Sequence, residues 1–131
     1  MVKTEIHQLY RKEVLAMAEN CIFCKIISGE IPSRWVYEND RVLAFDDINP
    51  MAPVHVIIIP KQHIPTLLDI TPENIDIMGD IISAVREVSR IKGVDQKGFR
   101  TVINCNEEGG QVIFHLHLHL LGGTKLRDDL G

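Results

Sequence analysis

One window constrains this chain more than any other: Phe114-His115-Leu116-His117-Leu118-His119-Leu120 alternates imidazole and leucine without a break. Successive side chains of a strand point to opposite faces, so this period of two predicts a strand over Ile113 to Leu121, with three imidazoles on one face and three leucines on the other. The leucine face has to meet a core, and the long helix predicted below is the element to supply it. Same-face Cα atoms of a strand lie about 6.5–7 Å apart, a spacing at which several histidines line one phosphate-sized pocket. A single strand histidine is ordinarily a solvated or hydrogen-bonded residue. Three in register, beside Gly109-Gly110-Gln111, are not explained that way. Neutral imidazole is a nucleophile and a general acid–base near pH 7. Glycines let backbone N–H groups approach an anion. Together they point to phosphoryl or nucleotidyl chemistry, with no metal requirement for catalysis visible in the sequence. His55, in Pro53-Val54-His55-Val56, reads either as a core histidine or as a fourth member of the same polar face.

The rest of the chain supplies an α+β frame. At 131 residues it is one domain's length, enough to bury a real core. A formal net charge of −4 argues against a Lys/Arg-dominated nucleic-acid groove, though not against one bound nucleotide. The longest apolar run, Val14 to Ala18, is far short of a membrane span, and the first 20 residues lack the apolar stretch of a secretory signal. With three cysteines, this predicts a reducing cytoplasm. A helical arm is expected over residues 3–19, and a short helix over Cys21 to Ser28 ended by Gly29. Strands are expected over Arg34 to Glu38 and Arg41 to Phe45, joined by an Asn39-Asp40 turn. The Pro- and Asp-rich stretch Asp46 to Pro53 is a loop, and Val54 to Pro60 a buried strand. Thr71-Pro72-Glu73 reads as a helix start, with Ile75, Met78, Ile81, Ile82, Val85, Val88 and Ser89 on one face and Gly93 at the end. Phe99 to Asn104 is a further strand. Four or five antiparallel strands around one long helix follow.

Cys21 and Cys24 form a CxxC, which by itself fits a metal site, a redox pair or chance. The absence of a thioredoxin-like βαβ pattern weakens the redox reading. Cys105 reads as a small buried hydrophobe.

The blocks Cys21-Ile22-Phe23-Cys24-Lys25-Ile26-Ile27, Gly29-Glu30-Ile31-Pro32, Leu43-Ala44-Phe45-Asp46-Asp47-Ile48, Pro53-Val54-His55, Ile59-Pro60-Lys61-Gln62-His63, Gly109-Gly110-Gln111 and His115 to Leu121 occur in this order. They resemble the histidine triad (HIT) family of nucleotide hydrolases and transferases from Cys21 to about Gly123, leaving residues 1–20 as an extension and 21–131 as the domain. The ending Leu121-Gly122-Gly123 leans toward the family's nucleoside phosphoramidate hydrolases. The resemblance implies that His117 attacks the α-phosphorus of a purine nucleotidyl conjugate, giving a covalent nucleotidyl-histidine that water releases as a monophosphate such as AMP. It implies that His119, and partly His115, serve the phosphate or the leaving group, with His55 in support. Asp47 would accept from the ribose hydroxyls; without the resemblance it reads as a loop-capping residue. Ile22, Phe23, Ile26, Ile31, Phe45 and Ile48 would hold the base, and Asn104, Gly110 and Gln111 would surround the phosphate. Val112 departs from the family, which often has Ser or Thr there; only its backbone N–H remains to serve phosphate. The resemblance further implies a structural zinc on Cys21, Cys24, His63 and His115, and a homodimer with one continuous antiparallel sheet. Two rivals differ in kind. A dinucleoside polyphosphate hydrolase is disfavoured by Gly122-Gly123, and a nucleotide- or partner-binding module would bind without turnover. A purely structural zinc domain leaves His117 and His119 unexplained.

Overall fold

A computed structural model describes residues 20–128. The arm expected over residues 3–19 lies outside them. Five strands form one antiparallel sheet in the order β1-β2-β3-β5-β4: β1 (Trp35–Glu38), β2 (Val42–Asp46), β3 (Val54–Pro60), β4 (Phe99–Val102) and β5 (Leu118–Gly122). Two α-helices, α1 (Ile22–Ser28) and α2 (Asp76–Ile91), cover its faces.

The central strands are apolar on both faces, because both faces are covered. Val42, Ala44, Val56 and Ile58 pack with Ile77, Ile81, Ala84, Val85 and Val88 of α2. Their neighbours Leu43, Phe45, Ile57 and Ile59 pack on the opposite side with Phe23 and Ile26 of α1. Leu116, Leu118 and Leu120 join the α2 side, as the alternation predicts. The imidazoles are thereby sent to the α1 side.

Local chemistry sets the corners. Cys21 caps α1 by accepting the Cys24 N–H at 3.4 Å, and Gly29 ends the helix at φ 84°, where a side chain would be strained. Asn39 Oδ1 accepts from the Arg41 and Val42 N–H groups, closing the β1–β2 hairpin.

Three expectations are corrected. The last strand starts at Leu118, not Ile113: before it, the Leu116 N–H is spent on the Ile64 carbonyl and the His115 carbonyl accepts from the His117 ring, both outside the ladder. Helix α2 starts at Asp76, not after Thr71: the Thr71 N–H binds Asn74 Oδ1 at 2.6 Å and closes a separate turn first. The helix's buried face is Ile77, Ile81, Ala84, Val85, Val88 and Ser89, while Ile75, just before the helix, and Ile82, off that face, are exposed. Strand β4 ends at Val102, two residues before the expected Asn104. Among the described residues, no helix is long and apolar enough to cross a membrane.

Candidate active site

A cavity of about 410 Å³ opens between α1, the β2–β3 loop and the segment before β5. Its wall is apolar: Ile22, Phe23, Ile26, Ile31, Phe45, Ile57 and Ile113. His117, His119, Asp47 and Asn104 bring polar atoms to it, and Ile48, Gly110 and Val112 also line it. Of the residues expected to hold a nucleotide, Gln111 alone does not line the cavity. Gln111 Oε1 accepts from the Asn106 N–H, while Nε2 donates to the Pro65 and Ile113 carbonyls. Gln111 therefore braces the loop. The Gly110 and Gln111 N–H groups are likewise spent inside it, on the Glu107 and Asn106 carbonyls. Gly109 has a steric reason: a Cβ there would collide with the Cys105 carbonyl. Cys105 itself is only half-buried. Pro32, Ser33, Asp46, Asn49, Ile57 and Ile113 also line the cavity and escape sequence reading, because the wall is assembled from segments distant in the chain.

The imidazoles are orientated by their second nitrogens. His117 Nδ1–H donates to the His115 carbonyl at 2.7 Å, which leaves the Nε2 lone pair unprotonated. Burial holds this ring's pKa below its usual value, against the opposing pull of that hydrogen bond and of Asp47. His55 Nδ1 accepts the Met51 N–H at 3.0 Å, so neutral His55 carries its proton on Nε2. That proton faces His119 Nδ1 at 2.9 Å and Asp47 Oδ2 at 3.4 Å. Neutral His119 then carries its own proton on Nε2. Burial, together with His117 and His55, pushes His119 down to about 4, so it stays neutral near pH 7. Burial also lowers His55, against the pull of Asp47. Asp47 accepts the Asn49 N–H through Oδ1 at 2.8 Å, so the loop-capping role and a place in the cavity coexist.

The first histidine of the window turns away. His115 is fully buried and absent from the cavity wall. Its Nε2–H donates to the Pro60 carbonyl at 2.8 Å, which leaves Nδ1 as a lone pair 3.4 Å from Cys21 Sγ and 3.6 Å from Cys24 Sγ. His63 Nδ1 lies 3.3 Å from Cys24 Sγ, while its buried Nε2 has no hydrogen-bond partner. The four donor atoms lie within 4.8 Å of one another. Burial and Cys21 push the Cys24 thiol up to about 12, so this thiol resists ionisation unless a cation draws it. The donor set and its inward lone pairs can hold a metal ion.

Residues 28–126 match the HIT domain model, most of the chain. The chain belongs to the HIT family. One relative, the purine nucleoside phosphoramidase of Escherichia coli strain K12, is 46% identical over 110 residues, covering 84% of this chain and 92% of the relative. The histidine triad protein of Clostridium difficile superposes with a TM-score of 0.82 at 50% identity, over 85% of this chain and 96% of that one. The HIT family hydrolase of Clostridium thermocellum gives 0.84 at 49% identity, over 86% and 97%. The five-stranded sheet and the two helices described above are thus the HIT fold.

Proposed function

We propose that this HIT protein hydrolyses purine nucleoside phosphoramidates, or related nucleotidyl conjugates, to the nucleoside monophosphate. The observation that carries the reading is the His117 hydrogen bond, which holds Nδ1 on the His115 carbonyl and frees Nε2 at the cavity. The purine nucleoside phosphoramidase of E. coli, 46% identical, supports the substrate class.

In this mechanism His117 Nε2 attacks the α-phosphorus, forming a P–N bond to histidine. The electrons of the broken P–N bond go to the departing amine, which takes a proton from His119 Nε2 after the negative charge of the bound phosphate has brought that ring to its imidazolium form, and His119 is left neutral. His55 orients His119, and the Met51 N–H holds His55. Water then attacks the same phosphorus and gives a proton to His119, while the P–Nε2 bond breaks, its electron pair returns to His117, and the monophosphate is released. Splitting one displacement into two is the gain from covalent catalysis. The base lies against the Ile22, Phe23, Ile26, Ile31, Phe45 and Ile48 wall, Asp47 Oδ2 accepts from ribose, and Asn104, with the Gly110 and Val112 backbone, borders the phosphate. Gln111 serves by holding their loop. His115 serves through its carbonyl.

Zinc is the metal proposed for Cys21, Cys24, His63 and His115, since two thiolates and two imidazoles make a closed tetrahedral set. When bound it supplies a rigid crosslink between α1 and the segment before β5. The homodimer is proposed through β4: the sheet edges are β1 and β4, and β1 is blunted by an irregularity between Trp35 and Tyr37. Residues 21–131 are proposed as the domain, with residues 1–20 as its extension, in a reducing cytoplasm that keeps the cysteines free.

The test is AMP release from adenosine 5′-phosphoramidate by wild type and His117→Ala. Turnover abolished in a folded variant is expected. Tight AMP binding without wild-type turnover would replace the reading with a binding module. Faster release from a diadenosine polyphosphate would replace it with that hydrolase class.

A further inference from the structure

Two tethers meet on the His117 ring, and both begin at the cysteine–histidine cluster. The first is His115. Its carbonyl accepts the His117 Nδ1–H at 2.7 Å, while its ring is fixed between the Pro60 carbonyl and the two sulfurs. The second is Phe23, which stands between Cys21 and Cys24 in the chain and packs edge-on against His117, with ring centroids 5.1 Å apart at 82°. Phe23 also packs against His115 at 5.8 Å, and His63 packs against His115 at 4.9 Å. The hydrogen-bond acceptor of His117 and one of its two ring neighbours, the other being His119, thus hang on the same four side chains.

We infer that the Cys21–Cys24–His63–His115 cluster positions His117 for attack, with a bound cation holding His115 and Phe23 together. This rests on the reading of His117 as nucleophile. None of the four cluster residues lines the cavity. Breaking the cluster therefore loosens the His117 ring and, of the base wall, Phe23 beside it, while Ile31, Phe45, Ile48 and Asp47 stand on other segments and keep their places. Misplacement on the order of 1 Å costs roughly 100-fold in rate, so the damage falls far more on kcat than on nucleotide affinity. A purely structural cluster would behave differently, because partial unfolding lowers rate and binding in proportion.

The experiment compares zinc-loaded wild type, chelator-stripped wild type, Cys24→Ser and His63→Gln, the last as a milder lesion should Cys24→Ser fold poorly. The readouts are kcat and KM for adenosine 5′-phosphoramidate, calorimetric AMP affinity, and the ¹H–¹⁵N signal of the His117 Nδ1–H. The expected result is a kcat loss of about 10–100-fold, AMP affinity held within roughly twofold, and a broadened or absent Nδ1–H signal. Unchanged kcat in both the stripped enzyme and the variants overturns the inference. A parallel loss of AMP affinity and kcat also overturns it, because that reports unfolding. Wild type that binds AMP but never turns over defeats the nucleophile reading instead. In that case the Nδ1–H signal still decides the tether: unchanged on stripping, it refutes it.

Discussion

Replacing His55 by Phe isolates the relay behind the third histidine. The ring keeps its shape at a position only 7% exposed, but both of its hydrogen bonds disappear. These are the Met51 N–H bond at 3.0 Å and the His119 Nδ1 contact at 2.9 Å. At about 0.5–1.5 kcal/mol each, the pair is worth about 1–3 kcal/mol of stability. Met51 is 81% exposed, so water reaches its orphaned N–H and the cost falls toward the lower end. The catalytic cost is larger. General acid catalysis contributes about 100- to 10,000-fold. His119 survives the substitution and loses only its fixed tautomer, so the expected fall in kcat is about 10–100-fold. The assay pairs two adenosine 5′-monophosphate derivatives in steady-state kinetics. One is an alkyl phosphoramidate, whose amine must be protonated to leave. The other is an ester of an acidic phenol, which leaves without a proton. The fall should appear with the amine and nearly vanish with the phenol. An equal fall on both substrates, or none on the amine, refutes the relay from His55 to His119.

Three further outcomes follow from the same geometry. His115 and His119 are each pushed to about 4, chiefly by burial. The unfolded chain, with ordinary histidines near 6.5, therefore binds more protons between about pH 6.5 and 4. Stability of the metal-free protein should be level above that window and fall as pH drops through it, as thermal melts at pH 7.5 and 4.5 will show; kcat/KM should fall with it. Gly109→Ala drives a methyl group into the Cys105 carbonyl and should cost about 1–3 kcal/mol in urea unfolding, with weaker AMP binding as the loop shifts. Chelation should lower the melting temperature of zinc-loaded protein and leave Cys24→Ser unmoved, since that variant lacks one of the four ligands.

Much of the site was legible because it is written in local periods. The alternation over residues 115–120 separated leucines from imidazoles, and it does so even where the chain is not a regular strand, since Leu116 is buried with the α2 core. The β-branched run at Val54 to Pro60 located β3, and with it His55. The roles of the three histidines were not legible from the pattern alone. His115 and His119 are equivalent in the alternation, yet one faces two sulfurs and the other faces His55, because Cys21 and Cys24 arrive from the far end of the domain. The bracing contacts of Gln111 were not legible for a similar reason. Its amide is consumed by the Asn106 N–H and the Pro65 and Ile113 carbonyls, partners fixed only by the folded loop. The start of α2 slipped because Thr71, a good capping residue, was taken first by Asn74. The cavity residues Ile57 and Ile113 look like ordinary core in sequence, since nothing in an apolar side chain distinguishes a cavity wall from packed interior.

The central claim is that His117 Nε2 becomes bonded to phosphorus. Intact-protein mass spectrometry of enzyme quenched in acid-free denaturant during turnover of adenosine 5′-phosphoramidate tests it most directly. The account predicts a population heavier by one adenylyl group, mapped by peptide sequencing to His117, labile to acid, and absent in His117→Ala. Full turnover with no such adduct under rapid quench, or an adduct on another residue, contradicts it.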